Sequence, residues 1–160
     1  MVLGSDGTYL TGLNFVNPAD EWQGSNDKVQ SLSVFDETCR WLDMYFRGEV
    51  PDFVPSYRIE NATAFRQTVL SIVEGIPYGQ LMSYGAIAQE AARRLGKPRM
   101  SAQAVGGAVG WNPICLIIPC HRVIGTKGEL TGYGGGMMNK IALLRLEGHR
   151  VMEKGIEVDF

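Results

Sequence analysis

The chain has 160 residues, 45% hydrophobic and 20% charged, which suits a globular protein with one sizeable core or two small ones. Its net charge is −2, no apolar run approaches the roughly 20 residues that span a bilayer, and its start lacks the basic head and apolar stretch of a secretory signal, so membrane and secreted classes are excluded and a cytoplasmic location is expected, nuclear in a eukaryotic source. Cys39, Cys115 and Cys120 with His121 and His149 stand at no metal-ligand spacing and form an odd thiol count, so neither structural zinc nor a disulfide framework is expected.

Ser5-Asp6-Gly7 is a turn signal, and Thr8 to Val16 alternates apolar positions (Tyr9, Leu10, Leu13, Phe15) as a strand does. Asn17 to Asp27 reads as loop. From Leu32 to Phe46 the apolar residues Leu32, Phe35, Cys39, Leu42 and Phe46 recur at helical spacing, so this face is expected to pack, with Cys39 buried and inert. Gly48 ends that helix, and Pro51 and Pro55 flank an extended piece. Asn61-Ala62-Thr63 offers a cap for a helix carrying Phe65, Val69, Ile72 and Val73 to about Gly75. After a turn at Ile76 to Gly79, Ser83 caps a helix with Ile87, Ala88, Ala91 and Leu95 on its inner side and Arg93, Arg94 and Gly96 at its end. Gly96 to Met100 is a break, and Ser101 caps a further helix from Ala102 to about Val109. Two short helices joined this way suit a helix-turn-helix and equally plain helical packing.

The second helix of that pair has almost no bulk: Ala102, Ala104, Gly106, Gly107 and Ala108, at a cost of roughly 1 kcal/mol per glycine relative to alanine. Small residues there allow close approach of a neighbouring helix or of a nucleic-acid groove. Charge is unevenly spread. Residues 1–60 hold ten acids against four bases, a net of −6, and the other hundred hold eleven bases against seven acids, a net of +4, which leaves the second part able to face phosphates.

Residues 112 to 123 place Cys120 beside His121 at the exit of an apolar run, Ile114 to Ile118, expected as a buried extended segment that Pro119 terminates. A free thiol has a pKa of roughly 8.5, and a nearby cation or proton acceptor raises its thiolate fraction. A buried inert cysteine and a nucleophile both fit the dipeptide alone. The glycines from Gly132 onward are no dinucleotide fingerprint, because Met137 breaks G-x-G-x-x-G.

Pro119-Cys120-His121-Arg122-Val123, followed by Gly132-Tyr133-Gly134-Gly135-Gly136, Lys140 and Leu143-Leu144-Arg145-Leu146-Glu147-Gly148, closely resembles the O6-alkylguanine-DNA alkyltransferases, also called methylated-DNA-protein-cysteine methyltransferases. The resemblance runs from about residue 3 to 150. With the elements above it gives an α/β + α fold: a small N-terminal α/β domain with a short β-sheet over 1–60, then a mostly helical C-terminal domain over 61–160 with a winged-helix-like helix-turn-helix. Family members usually begin with a strand ahead of the Ser-Asp-Gly turn; only Met1 to Gly4 precede it here, so the sheet is expected to lack an edge.

The resemblance also implies the chemistry. Cys120 takes the alkyl group from O6 of guanine, and the implied targets extend to O4-alkylthymine. His121, acting through a water and oriented by Glu147, removes the thiol proton. Tyr84 donates to guanine N3, Lys140 supports the thiolate or O6, and Asn112 is a buried hinge between the helix-turn-helix and the nucleophile's segment. Val123, Tyr133, Gly134 and Gly135 hold the guanine. Ser101, Ala102, Gln103, Arg94, Arg99 and Arg122 face DNA, with Gln103 standing where the family carries an arginine that fills the gap left by the extruded base. The implied partner is double-stranded DNA containing O6-alkylguanine, met by a monomer without membrane, metal or cofactor.

Each residue has a plainer use. Glu147 can pair with Arg145 or Arg150 on a solvated face, Tyr84 can be a packed aromatic, and Lys140 can lie on the surface. Cys115 is expected near the pocket mouth and much less reactive than Cys120. Two other functions are weighed: a DNA-binding lesion sensor without transfer, whose known relatives lose the cysteine that this chain keeps, and a cysteine hydrolase, which turnover of an ester would reveal.

Overall fold

The computed structural model of the protein describes residues 1–16, 31–152 and 155–157; the loop expected over Asn17 to Asp27 lies outside them. Strands β1 (Val2–Ser5) and β2 (Leu10–Asn14) form an antiparallel hairpin with Leu3 opposite Leu13. The residues ahead of the turn, expected to leave the sheet without an edge, are themselves strand β1. Asp6 makes the turn by accepting from the amides of Thr8 (2.9 Å) and Tyr9 (2.8 Å) through Oδ1, with Gly7 at φ +103°. A two-stranded ribbon is marginal alone. Here Leu10 and Leu13 are both fully buried, each contributing roughly 1.5–3 kcal/mol.

The far edge of β2 carries the connection that matters for the site. Leu13 donates to the Pro113 carbonyl (2.8 Å) and accepts from the Cys115 amide (2.9 Å), so the hairpin is stitched to the segment that leads to Cys120.

Helix α1 (Ser33–Phe46) has the expected bounds but a different buried face. Val34, Thr38, Trp41, Leu42 and Tyr45 point inward, whereas Cys39 is exposed and Phe46 is 47% exposed. The helix is turned about a quarter of a revolution from the face chosen by aliphatic spacing. Size and polarity decide it: Trp41 and Tyr45 stack at 5.4 Å, and the Tyr45 hydroxyl finds buried acceptors that Phe46 and Cys39 could not use.

Helices α2 (Ala64–Glu74), α3 (Tyr84–Arg94) and α4 (Ala102–Gly110) begin where their caps were expected: Thr63, Ser83 and Ser101 each accept a backbone amide of the first turn. Gly96 at φ +63° ends α3 and lets the Lys97 amide return to the Ala92 carbonyl at 2.9 Å. The three helices pack on one another, and α3 and α4 with their short joint form a helix-turn-helix. Strand β3 (Met82–Ser83) pairs in parallel with β4 (Val123–Ile124), which anchors the start of α3 beside the exit from Cys120. Helix α5 (Met137–Leu146) and a hairpin of β5 (Val151–Met152) and β6 (Gly155–Ile156) follow; the hairpin was not foreseen.

A continuous apolar core runs from Leu10, Leu13 and Tyr45 through Val69, Ile87 and Val105 to Ile114 and Leu143. Among the described residues no helix is long and apolar enough to cross a membrane.

Candidate active site

Asn112, directly after α4, shapes the segment that follows. Its side-chain Oδ1 accepts from the Ile114 amide (2.9 Å), and its Nδ2 donates to the Ile118 carbonyl (2.8 Å) and lies 3.2 Å from Cys120 Sγ. One amide thus draws together the two ends of Ile114 to Ile118. The run is consequently no extended strand: it folds back on itself, with Leu116 at φ +70° and Cys115 bridged to Ile118. A wholly buried apolar run has no periodicity that tells a strand from a tight fold-back. Pro119 then leads into a single 3-10 turn, Cys120 to Arg122, that presents a thiol only 5% exposed.

Behind the thiol lies a saturated carboxylate. Glu147, at the end of α5, accepts through Oε1 from His121 Nε2 (2.7 Å), the Tyr45 hydroxyl (2.6 Å) and Arg122 Nη2 (2.9 Å), and through Oε2 from Arg122 Nε (2.9 Å) and the Gly79 amide (3.0 Å). Burial alone would raise its pKa; hydrogen bonds from His121, Arg122 and Tyr45 outweigh that and hold the carboxyl far below the usual carboxylate range. An ionised carboxylate only accepts, so His121 carries its proton on Nε2 and its lone pair on Nδ1. Nδ1 is buried without a protein partner. Burial, aided by the charges of Arg122 and Lys140 and opposed by Glu147, lowers the His121 pKa and keeps the ring neutral. Glu147 therefore pairs with neither Arg145 nor Arg150.

Lys140 is no surface residue either. It is fully buried, with Nζ donating to the carbonyls of Val123 (2.7 Å) and Thr131 (3.3 Å), and burial brings its pKa down to about 8 against the opposing pull of Cys120. The adjacent Cys115 thiol, then Asn112, the nearby Tyr133 hydroxyl and the Lys140 charge, overcome burial and hold Cys120 below the ordinary thiol range. The Cys115 thiol is pushed the other way, upward, by its hydrogen bond to Cys120 and by burial.

In front of the thiol is a pocket of about 160 Å³. It is lined by Asn112, Cys115 and Cys120, by Tyr84 with Gly106, Val109 and Gly110 of α4, by Gly132 to Gly135, and by Asn14 and Phe15 from the N-terminal part of the chain. The glycines of α4 do not mark tight helix packing: a Cβ on Gly107 or Gly110 would meet nothing within 4 Å, and one on Gly106 only Tyr84, at 3.9 Å, whereas Ala108 is buried in the core. Gly135 is different, since a Cβ there would come within 2.6 Å of Phe15 and 2.7 Å of Tyr133. Bulk is excluded there by the pocket's own walls.

Two sequence expectations change, at Val123 and Arg122. Val123 does not line the pocket; it is fully buried and its carbonyl is taken by Lys140. Arg122 is 8% exposed, locked on Glu147 and on the Ile76 carbonyl (2.6 Å), and so is not a phosphate contact. Arg94 is exposed, pairs with Glu90 (2.7 Å) and reaches Ser71 of α2, and Arg99, also exposed, borders a concavity with Arg93, Lys97 and Ala102. Ser101, Ala102 and Gln103 are exposed at the start of α4, Ser101 accepting from the Gln103 amide at 3.1 Å. Missed altogether were Tyr45, Gly79, Asn14 and Phe15. Only Phe15 had a signal, an aromatic at the exposed end of the strand pattern. Among the described residues no cluster of three His, Cys, Asp or Glu is placed to hold a metal ion.

The family model described as the DNA binding domain of 6-O-methylguanine DNA methyltransferase matches residues 64–149. The methylated-DNA-protein-cysteine methyltransferase of Mycobacterium leprae is 40% identical over 157 residues, covering 95% of this chain and 88% of the relative. That of Haemophilus influenzae is also 40% identical, covering 96% and 83%. A crystal structure of Mycobacterium tuberculosis OGT in complex with DNA superposes with a TM-score of 0.72 at 40% identity, over 91% of this chain and 84% of that one.

Proposed function

The chain belongs to the methylated-DNA-protein-cysteine methyltransferase family, and from that premise we propose that it repairs DNA by moving the alkyl group of O6-alkylguanine, and of O4-alkylthymine, onto Cys120 in one irreversible turnover. The observation that carries this reading is the setting of the thiol. Cys120 opens on a small pocket flanked by α4, with the neutral His121 and its Glu147 partner behind it.

In the reaction the Cys120 sulfur attacks the carbon bound to O6. The S–C bond forms as the C–O6 bond breaks, and the bonding pair stays on the guanine. The thiol proton passes by way of a water to Nδ1 of His121, and Tyr84, at the pocket wall, donates to the departing guanine. Lys140 stabilises the charge on the thiolate. A thioether is a poor leaving group, so the thiol is not regenerated, and no metal or cofactor takes part.

A base inside a duplex cannot reach this pocket, so it must rotate out, at a cost of a few kcal/mol that is smaller for a damaged pair. The exposed start of α4, with Ser101, Ala102 and Gln103, enters the groove, and Arg99 meets phosphate. A protein with this substrate works where the chromosome lies, in the cytoplasm or, where there is one, the nucleus.

The test is to mix the protein with an oligonucleotide carrying O6-methylguanine and weigh the intact chain. One added methyl group, mapping to Cys120, is the expected result. Modification at another residue, or repeated turnover, would sink the reading.

A further inference from the structure

Tyr45 is 1% exposed and comes from α1, remote in sequence from the thiol. Its hydroxyl is 2.6 Å from Glu147 Oε1 and 3.2 Å from His121 Nε2, so it meets both members of the proton-withdrawing pair at once. Its ring is held on three sides, stacked on Trp41 at 5.4 Å and edge-on to Phe46 and Tyr78 at 5.7 and 6.0 Å. An aromatic packed this firmly has little freedom to withdraw the hydroxyl.

We propose that Tyr45 is a positioning residue for proton removal from Cys120: its hydroxyl fixes the Glu147 carboxylate and, through it, the tautomer and ring orientation of His121. The role in alkyl transfer rests on the function proposed above; the effect on His121 does not. Without the hydroxyl, Oε1 of Glu147 loses one of its donors and keeps more of its charge for the imidazole. His121 then binds a proton more readily and spends less time as the neutral acceptor. The other charged groups that act on the ring are Glu147, Arg122 and Lys140, and Tyr45→Phe removes none of them. Through Tyr45, α1 gains a part in a proton-handling group whose other members, His121 and Glu147, lie in the second half of the chain.

The experiment uses 15N-labelled full-length protein, whose two imidazoles, His121 and His149, are told apart by a His149→Gln control. Ring-nitrogen shifts across pH 5 to 9 report tautomer and pKa directly. In the wild type His121 is expected neutral at pH 7 with the proton on Nε2; an imidazolium, or a proton on Nδ1, overturns the proposal even if no variant folds. In Tyr45→Phe the His121 pKa is expected to rise by about half a unit to one unit, and single-turnover transfer from the free base O6-benzylguanine to slow by about tenfold. Tyr78→Phe, which loses a hydroxyl bond to the Leu146 carbonyl in the same aromatic group, is expected to leave the His121 shifts unchanged. An unmoved His121 in Tyr45→Phe, or an equal movement in Tyr78→Phe, overturns the assignment. Wild-type protein that takes no methyl group from an O6-methylguanine oligonucleotide while its His121 responds as expected removes the proposed function and leaves the role of Tyr45 standing.

Discussion

Behind Cys120 the charged groups are held by hydrogen bonds within the protein, whereas the helix in front of it carries no ionised side chain at all from Ser101 to Gly110. The rear wall keeps Glu147, His121, Arg122 and Lys140 buried, each fixed by hydrogen bonds at 2.6 to 3.0 Å. In that setting a lost partner leaves an uncompensated group, which is expensive. The face of α4 works by absence: small side chains, an N-cap serine, and cations only at its edge, at Arg93, Lys97 and Arg99. The same stretch of sequence thus joins a rigid chemical device to a surface that has little to lose from any single substitution. Changes behind the thiol should therefore abolish chemistry or stability, and changes on α4 should tune encounters with DNA.

The largest effect is expected from Cys120→Ser, which should abolish transfer completely while binding to lesion-bearing duplex, measured by fluorescence anisotropy, stays within a few-fold of wild type. Loss of binding as well would break the separation between the two regions. Next comes Arg122→Leu, which leaves the buried Glu147 carboxylate without its guanidinium partner and should cost about 3–5 kcal/mol in urea unfolding. Its contrast is Arg99→Ala, which should leave stability unchanged but reduce the salt slope of DNA binding by about 0.9. If Arg122→Leu instead changed only the salt slope, the burial of that ion pair would be irrelevant to the protein.

A smaller effect concerns pH. Lys140 titrates at about 8 when folded, against 10.5 as its ordinary value, so between those limits the unfolded chain holds the extra proton. Stability contributed by this site therefore rises with pH from 8 to 10.5. Unfolding of Lys140→Met across that window should lack the rise that wild type shows; parallel curves would mean that the lysine stays charged in its buried place.

The divide between the two regions is also a divide in what the sequence allows to be read. Caps are local, and Thr63, Ser83 and Ser101 each sit where hydrogen-bonding chemistry requires. The pairing of Glu147 with His121 follows from resemblance, because residues 26 apart in sequence have no local signal that joins them. Arg122 looked like a phosphate ligand because charge is visible in sequence and burial is not. The inner face of α1 was read correctly at Leu42 and offset elsewhere for a similar reason: spacing weighs all apolar residues alike, while the fold chose the two aromatics, one of which also satisfies a buried carboxylate. The fold-back of Ile114 to Ile118 depends on a single side chain, Asn112, bonding at both ends.

The smallest expected effect is at Gln103, and it tests the α4 side of the comparison most directly. Its side-chain amide makes no hydrogen bond among the described residues, and its backbone amide is held by the Ser101 cap, so the residue projects from a fixed helix start into solvent. If that side chain props the gap left by an extruded guanine, Gln103→Ala should slow repair of duplex DNA several-fold and leave transfer from free O6-benzylguanine unaltered, because the free base needs no extrusion. Gln103→Arg should match or exceed wild type on duplex, since a guanidinium plane can stack in the gap and also meet phosphate. Both rates must be taken as single turnovers with DNA in excess, where binding is saturated and extrusion plus chemistry is what remains. Equal duplex rates for wild type and Gln103→Ala would place the support of the gap on another residue, and Tyr84 is the one that the geometry offers, at the pocket wall beside Gly106.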